Sequence, residues 1–420
     1  MINLSVHGAL LRRRDDSMAT HSLISRAAPR LSADFGPSNV VGSIVALIAI
    51  SALFRLIMIG TQSLWLDEGV SLAMTDSKTV SGTFEAIWSV TGGDKYQPVY
   101  FILLAIWRAL MGDSQITLQM LSVIFGVLTP ALLYLGVKPL FGHRHAFISA
   151  LFLACSAFCV SYSQEVRPYS FLLFMAVCQF LSFSPALNKQ PGSRVRVLGF
   201  ALITFLCCIS SVFLLMFSVV MAISFLVCYR DFRLWLHWWG AALLAIVPAV
   251  LYFAYTPAAT DLATDAINTT NVSIWQNAVF ALYGHVAGHT YGPAVGALRT
   301  TDDIRAELMG YLPALTILAV VFYILAVNTF RAIAGSLGNK RHASLQLYFA
   351  LLLVLSLIAA LAFAVITSLN WMPRHSFYLM LPFAVLLPLS LFHAPRNQDD
   401  SFWAQRMKQG SVVALSLIHI

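Results

Sequence analysis

Charge is scarce in this sequence. Only 10% of its 420 residues are Asp, Glu, Lys or Arg, against about 25% in a soluble domain. That shortage excludes an ordinary water-soluble fold, and the 59% hydrophobic content points the same way. Cysteine is also sparse. All six (Cys155, Cys159, Cys178, Cys207, Cys208 and Cys228) fall within apolar runs, so they read as packed thiols rather than a disulfide framework or a metal site. There is no phosphate-binding loop and no dinucleotide fingerprint. Internal repeats and low-complexity tracts are missing too. Residues 1–40 hold no apolar stretch with a cleavage site, so no cleavable signal peptide is read there. Long alternating apolar–polar runs do not occur, which argues against a membrane barrel.

What the sequence has instead is long apolar runs split by short polar breaks. Backbone in lipid must satisfy its own hydrogen bonds, so each run is expected to be a helix. At about 20 residues per span, the candidates are 40–60, 116–137, 146–163, 169–187, 234–255, 309–330, 345–367 and 376–393. The stretch 197–229 reads as two short helices that meet near Ser210 and Ser211. The expected fold class is all-α, a polytopic transmembrane helical bundle of about 10 spans occupying 40–410. A cytoplasmic tail, 1–39, is expected before it. The apolar segment 411–420 is too short to span and reads as a truncated end.

Segment 98–111, PVYFILLAIWRALM, is apolar but short for a crossing. The positive-inside rule decides its path. If it dips in and returns, the inner face holds Arg12, Arg13, Arg14, Lys138, Arg144, Lys189, Arg194, Arg196, Arg230 and Arg233. The later cations Arg331, Lys340, Arg341, Arg396, Arg406 and Lys408 join them. The outer face then receives most of the acids. A full crossing would send most of the later basic loops outside, so a re-entrant or interfacial helix is expected. The net charge of +8 thus serves as a topology signal, and no nucleic-acid partner is expected. Two long outer segments, 61–115 and 256–308, are candidates for function.

Three outer motifs carry chemistry. Ser63-Leu64-Trp65-Leu66-Asp67-Glu68-Gly69 puts adjacent carboxylates where the chain leaves the first span. Such a pair is either a solvated loop start or a general base whose pKa is raised at the membrane boundary. Tyr162-Ser163-Gln164-Glu165-Val166-Arg167-Pro168-Tyr169 joins two spans tightly. Glu165 and Arg167 either pair to cap helix ends or contact phosphate and sugar, since the guanidinium fork suits phosphate oxygens. Trp371-Met372-Pro373-Arg374-His375 offers a cation with no local acid, which suits an anionic ligand or a lipid headgroup. Arg55, within the first span, would meet a lipid phosphate or an outer acid. Tyr96 and Gln97 precede Pro98 at the start of the short helix and are candidate substrate contacts. His285 and His289 are four apart, but the neighbouring glycines weaken a helical metal site.

These motifs, in this order, resemble the GT-C superfamily of membrane glycosyltransferases. The similar branch is that of bacterial proteins related to protein O-mannosyltransferases and the lipid A aminoarabinose transferase. The matching pieces are Leu-Trp-Leu-Asp-Glu, Gln-Pro-x-Tyr, the Leu-Ser-Val-Ile-Phe-Gly-Val-Leu-Thr stretch from Leu121, Pro-Leu-Phe-Gly-His-Arg and Tyr-Ser-Gln-Glu-Val-Arg-Pro-Tyr-Ser. They cover roughly 40–230. The resemblance implies a polyprenyl-phosphate sugar donor and a lipid, glycan or protein acceptor. It places the reaction at the periplasmic face of a bacterial inner membrane. It makes Asp67 the catalytic base with Glu68 beside it, and puts Glu165, Arg167, Tyr162 and Tyr169 in the second outer motif. Arg374 follows from a looser match. No cofactor is required by it, though it leaves room for a divalent cation. Two departures stand out: Tyr96-Gln97-Pro98 replaces His-Pro-Pro, and Ser210-Ser211-Val212 replaces a Thr-His-Tyr-like break. The competing reading is a transporter or flippase of a lipid-linked anion. That reading needs polar residues through the depth of several spans, where this sequence has few.

Overall fold

The computed structural model describes residues 37–57, 59–61, 63–89, 93–256, 283–285, 303–313, scattered positions between 315 and 330, 340–367 and 373–392. The chain forms two compact units, Met1–Val45 and Ala46–Ile420. In the first, only the opening of α1 (Pro37–Leu56) is described. The second contains the rest of α1 and every later element. Its outer segment runs through α2 (Leu66–Met74), α3 (Val80–Ser89), a 3₁₀ turn Gly93–Tyr96 and α4 (Pro98–Met111). Then come α5 (Gln115–Phe141), α6 (His143–Cys155), α7 (Ala157–Ser163), α8 (Tyr169–Leu187), α9 (Arg194–Ser210), α10 (Val212–Tyr229) and α11 (Phe232–Tyr255). The last are α12 (Ile304–Gly310), α13 (Lys340–Thr367), a 3₁₀ segment Pro373–Leu379 and α14 (Met380–Phe392). No strand occurs among the described residues.

By length and composition, four described helices can cross a membrane: α5, α8, α10 and residues 345–363 of α13. The count rises to six when each bent pair is taken as one span. The expected ten is not reached among the described residues. α9 has 17 residues and α14 has 13, while 309–330 is described only in scattered pieces beyond Pro313 and the tail 1–36 and the segment 411–420 lie outside the described residues. Most of the long loop 256–308 is outside them as well.

α5 is the central helix and packs on both α6 and α8. Ser114 caps its start, where the hydroxyl accepts from Thr117 N at 3.3 Å. Pro130 interrupts its interior and removes the N–H that would reach Gly126 O. That carbonyl instead accepts from Ser51 Oγ of α1 at 3.3 Å. At the far end Gly142 has φ +87°, which only glycine adopts without strain. This single residue turns the chain directly into α6.

The run 146–163 was expected as one span, but it bends by 53° between α6 and α7. Ser156 takes extended backbone angles, and its hydroxyl caps α7 through Cys159 N at 3.4 Å. A capping serine inside an apolar run competes with helix continuation. The break leaves the Leu153 and Ala154 carbonyls without helical donors. The break expected within 197–229 is found where the two serines stand: α9 ends at Ser210, and Ser211 is extended with its hydroxyl accepting from Phe213 N at 3.2 Å. α4 also has its expected limits, with Pro98 in the first turn. Its 14 residues span about 21 Å, short of a hydrocarbon core of about 30 Å. Arg108, buried near its end, donates to Leu72 O and Thr75 Oγ1, each at 2.8 Å, and to Asp113 Oδ1 at 2.8 Å. These bonds tie α4 to the C-terminal end of α2.

Candidate active site

The site is built on the first turn of α2. Asp67 and Glu68 lie where helix N–H groups point outward and favour negative charge. Glu68 folds back so that its Oε2 accepts from Trp65 N at 3.1 Å, as an acid at the third helical position commonly does. Its Oε1 accepts from Val166 N at 2.7 Å. Glu68 is 3% exposed. Both its oxygens are thus occupied by backbone donors from the two outer motifs, which makes it a staple between them. The sequence reading had placed it beside Asp67 as a catalytic partner; the geometry gives it a structural task.

Asp67 remains accessible. Its Oδ2 is 3.0 Å from Arg374 Nη2, with the side chains 27% and 18% exposed. Arg374 was read as a cation without an acid, and the structure corrects this: the acid is simply far away in sequence. The guanidinium lies over the Trp65 ring at 5.2 Å and the Tyr169 ring at 6.0 Å, contacts that favour a planar cation.

Of the two readings of Glu165 and Arg167, the local pair is not formed: no bond joins them among the described residues. Arg167 reaches instead to Asp94 on the 3₁₀ turn, with Nη2–Oδ1 2.6 Å and Nη1–Oδ2 3.4 Å. Its Nη1 also donates to Asp67 O at 3.0 Å and Ser71 Oγ at 3.1 Å. Its own carbonyl accepts from Ser122 Oγ of α5 at 3.2 Å. The second motif is therefore held from both sides. Asp94 is the residue that sequence reasoning passed over. Its place just ahead of Tyr96-Gln97-Pro98 was the available signal.

Glu165 faces the same pocket. Its Oε2 is shut off from solvent and makes no hydrogen bond. Burial, reinforced by the nearby Glu68 carboxylate, pushes its pKa up to about 8 despite Arg374 and Arg167. The Nε groups of Arg167 and Arg374 are likewise buried and unbonded. Tyr162 and Tyr169 meet edge to face at 5.1 Å beside these groups.

Other candidates lie elsewhere. Arg55 is 1% exposed and serves the α6–α7 break. Its Nη2 donates to Leu153 O at 3.2 Å, its Nη1 to Ala154 O at 2.9 Å, and its Nε to Ser163 Oγ at 3.2 Å. It meets carbonyls and hydroxyls, where a phosphate or an outer acid had been expected. Tyr96 packs on Phe253 of α11, with ring centroids 6.3 Å apart. Gln97 is buried beside it in sequence, with its Oε1 unbonded. His285 Nε2 bonds Ser376 O at 3.0 Å, and His289 is outside the described residues. As to a divalent cation, no group of three His, Cys, Asp or Glu side chains converges among the described residues. Asp67 and Asp94 are each turned to a guanidinium. The described residues do not fit a bound cation.

Residues 95–207, about a quarter of the chain, match the family model of dolichyl-phosphate-mannose-protein mannosyltransferases. No curated protein matches the sequence. Among solved structures, ArnT from Cupriavidus metallidurans in the apo state superposes with a TM-score of 0.54 and 14% identity, over 90% of this chain and 64% of that one. The same protein bound to undecaprenyl phosphate gives 0.54 and 13%, over 90% and 63%. The apo oligosaccharyltransferase of Archaeoglobus fulgidus gives 0.55 and 13%, over 92% and 56%. The chain thus spans roughly three fifths of the length of these solved proteins. Its apolar helices, their order and this likeness lead to one statement: the chain is a multi-pass membrane protein with the GT-C fold of membrane glycosyltransferases.

Proposed function

We propose that the protein transfers a sugar from a polyprenyl-phosphate donor to a lipid, glycan or protein acceptor, by a single inverting displacement at the periplasmic face of a bacterial inner membrane. The observation that carries this reading is the meeting of Asp67 with Arg374 at 3.0 Å, beside Arg167 and Glu165. Acids and guanidinium groups from three separate stretches of chain converge on one pocket. The undecaprenyl phosphate held by the solved relative supports the choice of donor.

In this reading the Asp67–Arg374 pair is the resting state. A lipid phosphate entering the pocket gives Arg374 a second anion, and Asp67 is released toward the acceptor. Asp67 takes the acceptor proton while the acceptor oxygen or nitrogen bonds the anomeric carbon. The bond from that carbon to the phosphate oxygen breaks, and the departing negative charge rests on guanidinium groups already in position. Arg167, fixed by Asp94 and Ser71, costs little reorganisation when that charge appears. Inversion follows because attack and departure occur in one step on opposite sides of the carbon.

A transporter reading finds less support. Gln179, Thr204 and Ser218 bond one another within the helices, and the charged groups Asp67, Glu165, Arg167 and Arg374 lie outside the described spans. The deciding experiment incubates membranes carrying the protein with labelled polyprenyl-phosphate sugars. Label appearing on a lipid, glycan or protein supports transfer. Label that only crosses the membrane, still on its carrier, supports transport.

A further inference from the structure

We propose, building on the lipid-phosphate reading above, that Glu165 works as an uncharged acid and that binding of the lipid phosphate takes up one proton at this carboxyl group. The geometry sets Glu165 apart from its neighbours. Asp67 is compensated by Arg374, Glu68 by two backbone N–H groups, and Asp94 by Arg167. Glu165 has no such partner at Oε2. The backbone that carries it is fixed on its C-terminal side. The next residue, Val166, is held through its N–H by Glu68, and the carbonyl of Arg167 is held by Ser122.

The pocket's charges explain the proton. Glu68 and Asp67 face Glu165 from α2, Arg374 from the 3₁₀ segment, and Arg167, Tyr162 and Tyr169 from its own connection and the flanking helices. With Asp94, three carboxylates already stand against two guanidinium groups. A charged Glu165 would add a fourth negative charge where an anion must enter. Protonation removes that charge and supplies an O–H that can donate to a phosphate oxygen. The unbonded Nε groups of Arg167 and Arg374 supply further donors. Burial, with the neighbouring Glu68 and Asp67 carboxylates and against the two arginines, pushes its pKa up to about 8, so that the group is mostly uncharged at pH 7. A neighbouring phosphate raises it further, because a second anion disfavours the carboxylate. Binding is therefore tighter below Glu165's titration and weakens as pH rises through it.

The test is the affinity of the full chain in detergent for undecaprenyl phosphate from about pH 7.5 to about pH 9.5. In this window the phosphate monoester, with a second pKa near 6, has already lost its second proton. The dissociation constant should rise by up to about tenfold per pH unit above the titration point, as one linked proton requires. Glu165→Gln should bind with no pH dependence there. Calorimetry of the unaltered chain in two buffers of different ionisation heat should register uptake of up to one proton, a result independent of how the variant folds. Binding without proton uptake and without pH dependence overturns the proposal and leaves the lipid-phosphate reading standing. The same slope persisting in Glu165→Gln moves the proton to another group, such as Tyr162, Tyr169 or His375, and also overturns it. Absence of binding at every pH removes both.

Discussion

Asp67, on the first turn of α2, and Arg374, on the 3₁₀ segment before α14, share an ion pair at 3.0 Å. The pair is part-exposed, so its net worth to stability is small. In the proposed reaction it holds back two groups, the base Asp67 and the phosphate-binding Arg374, each occupied by the other.

Replacing Asp67 by Asn separates these roles. Transfer from a labelled polyprenyl-phosphate sugar should fall by about 10²–10⁴-fold, the usual contribution of a positioned base. Binding of the lipid phosphate should be kept or tightened, because Arg374 loses its competitor. Full activity in this variant would remove the base assignment.

Asp94→Asn tests the clamp that sequence reasoning missed. Arg167 is 5% exposed and would lose its carboxylate partner. Breaking a buried pair from one side costs about 3 kcal/mol. The expected outcome is a lower melting temperature in detergent together with a fall in kcat/KM. Unchanged values for both would show that Arg167 does not depend on Asp94.

Arg55→Leu should leave the Leu153 and Ala154 carbonyls unpaired inside the bundle. Each orphaned acceptor costs about 1–3 kcal/mol. Thermal stability should drop, while KM for the donor stays the same in the folded fraction. A shift in KM at normal stability would instead put Arg55 in contact with the lipid phosphate.

Gly126→Ala probes the same junction from α5. A Cβ there would overlap Ser163 Oγ and lie 2.7 Å from Arg55 Nε. Overpacking of this kind costs about 1–3 kcal/mol. Adding Ser163→Ala should recover part of the loss, as measured by melting temperature. No recovery would mean that the strain sits at Arg55 instead.

Much of the scaffold was legible in the order of residues. The double serine at Ser210 and Ser211, the proline opening α4 and the glycine between α5 and α6 act locally, through caps and turns. Ser156 acts by the same chemistry, yet it went unseen as a break because the apolar run continues on both sides of it. The site was legible in membership but not in pairing. Asp67, Glu165, Arg167 and Arg374 do lie near one another. Arg374's acid, however, lies in another outer segment, and no local pattern announces it. Arg167 stands two residues from Glu165 and was read with it, but its guanidinium crosses to Asp94. Tyr96 was read as a site residue from its place beside Pro98, whereas its ring turns toward Phe253. Side-chain direction at a tight connection is set by tertiary anchors such as Ser122, which a linear reading does not contain.

The two backbone bonds made by Glu68 have a practical meaning for anyone exchanging parts of this chain. One carboxylate fastens the start of α2 to the connection ahead of α8. A graft of either loop alone would arrive with half of a fastening, and Glu68→Asp would fall short by a methylene. Specificity in this chain is therefore best altered by transplanting both loops together.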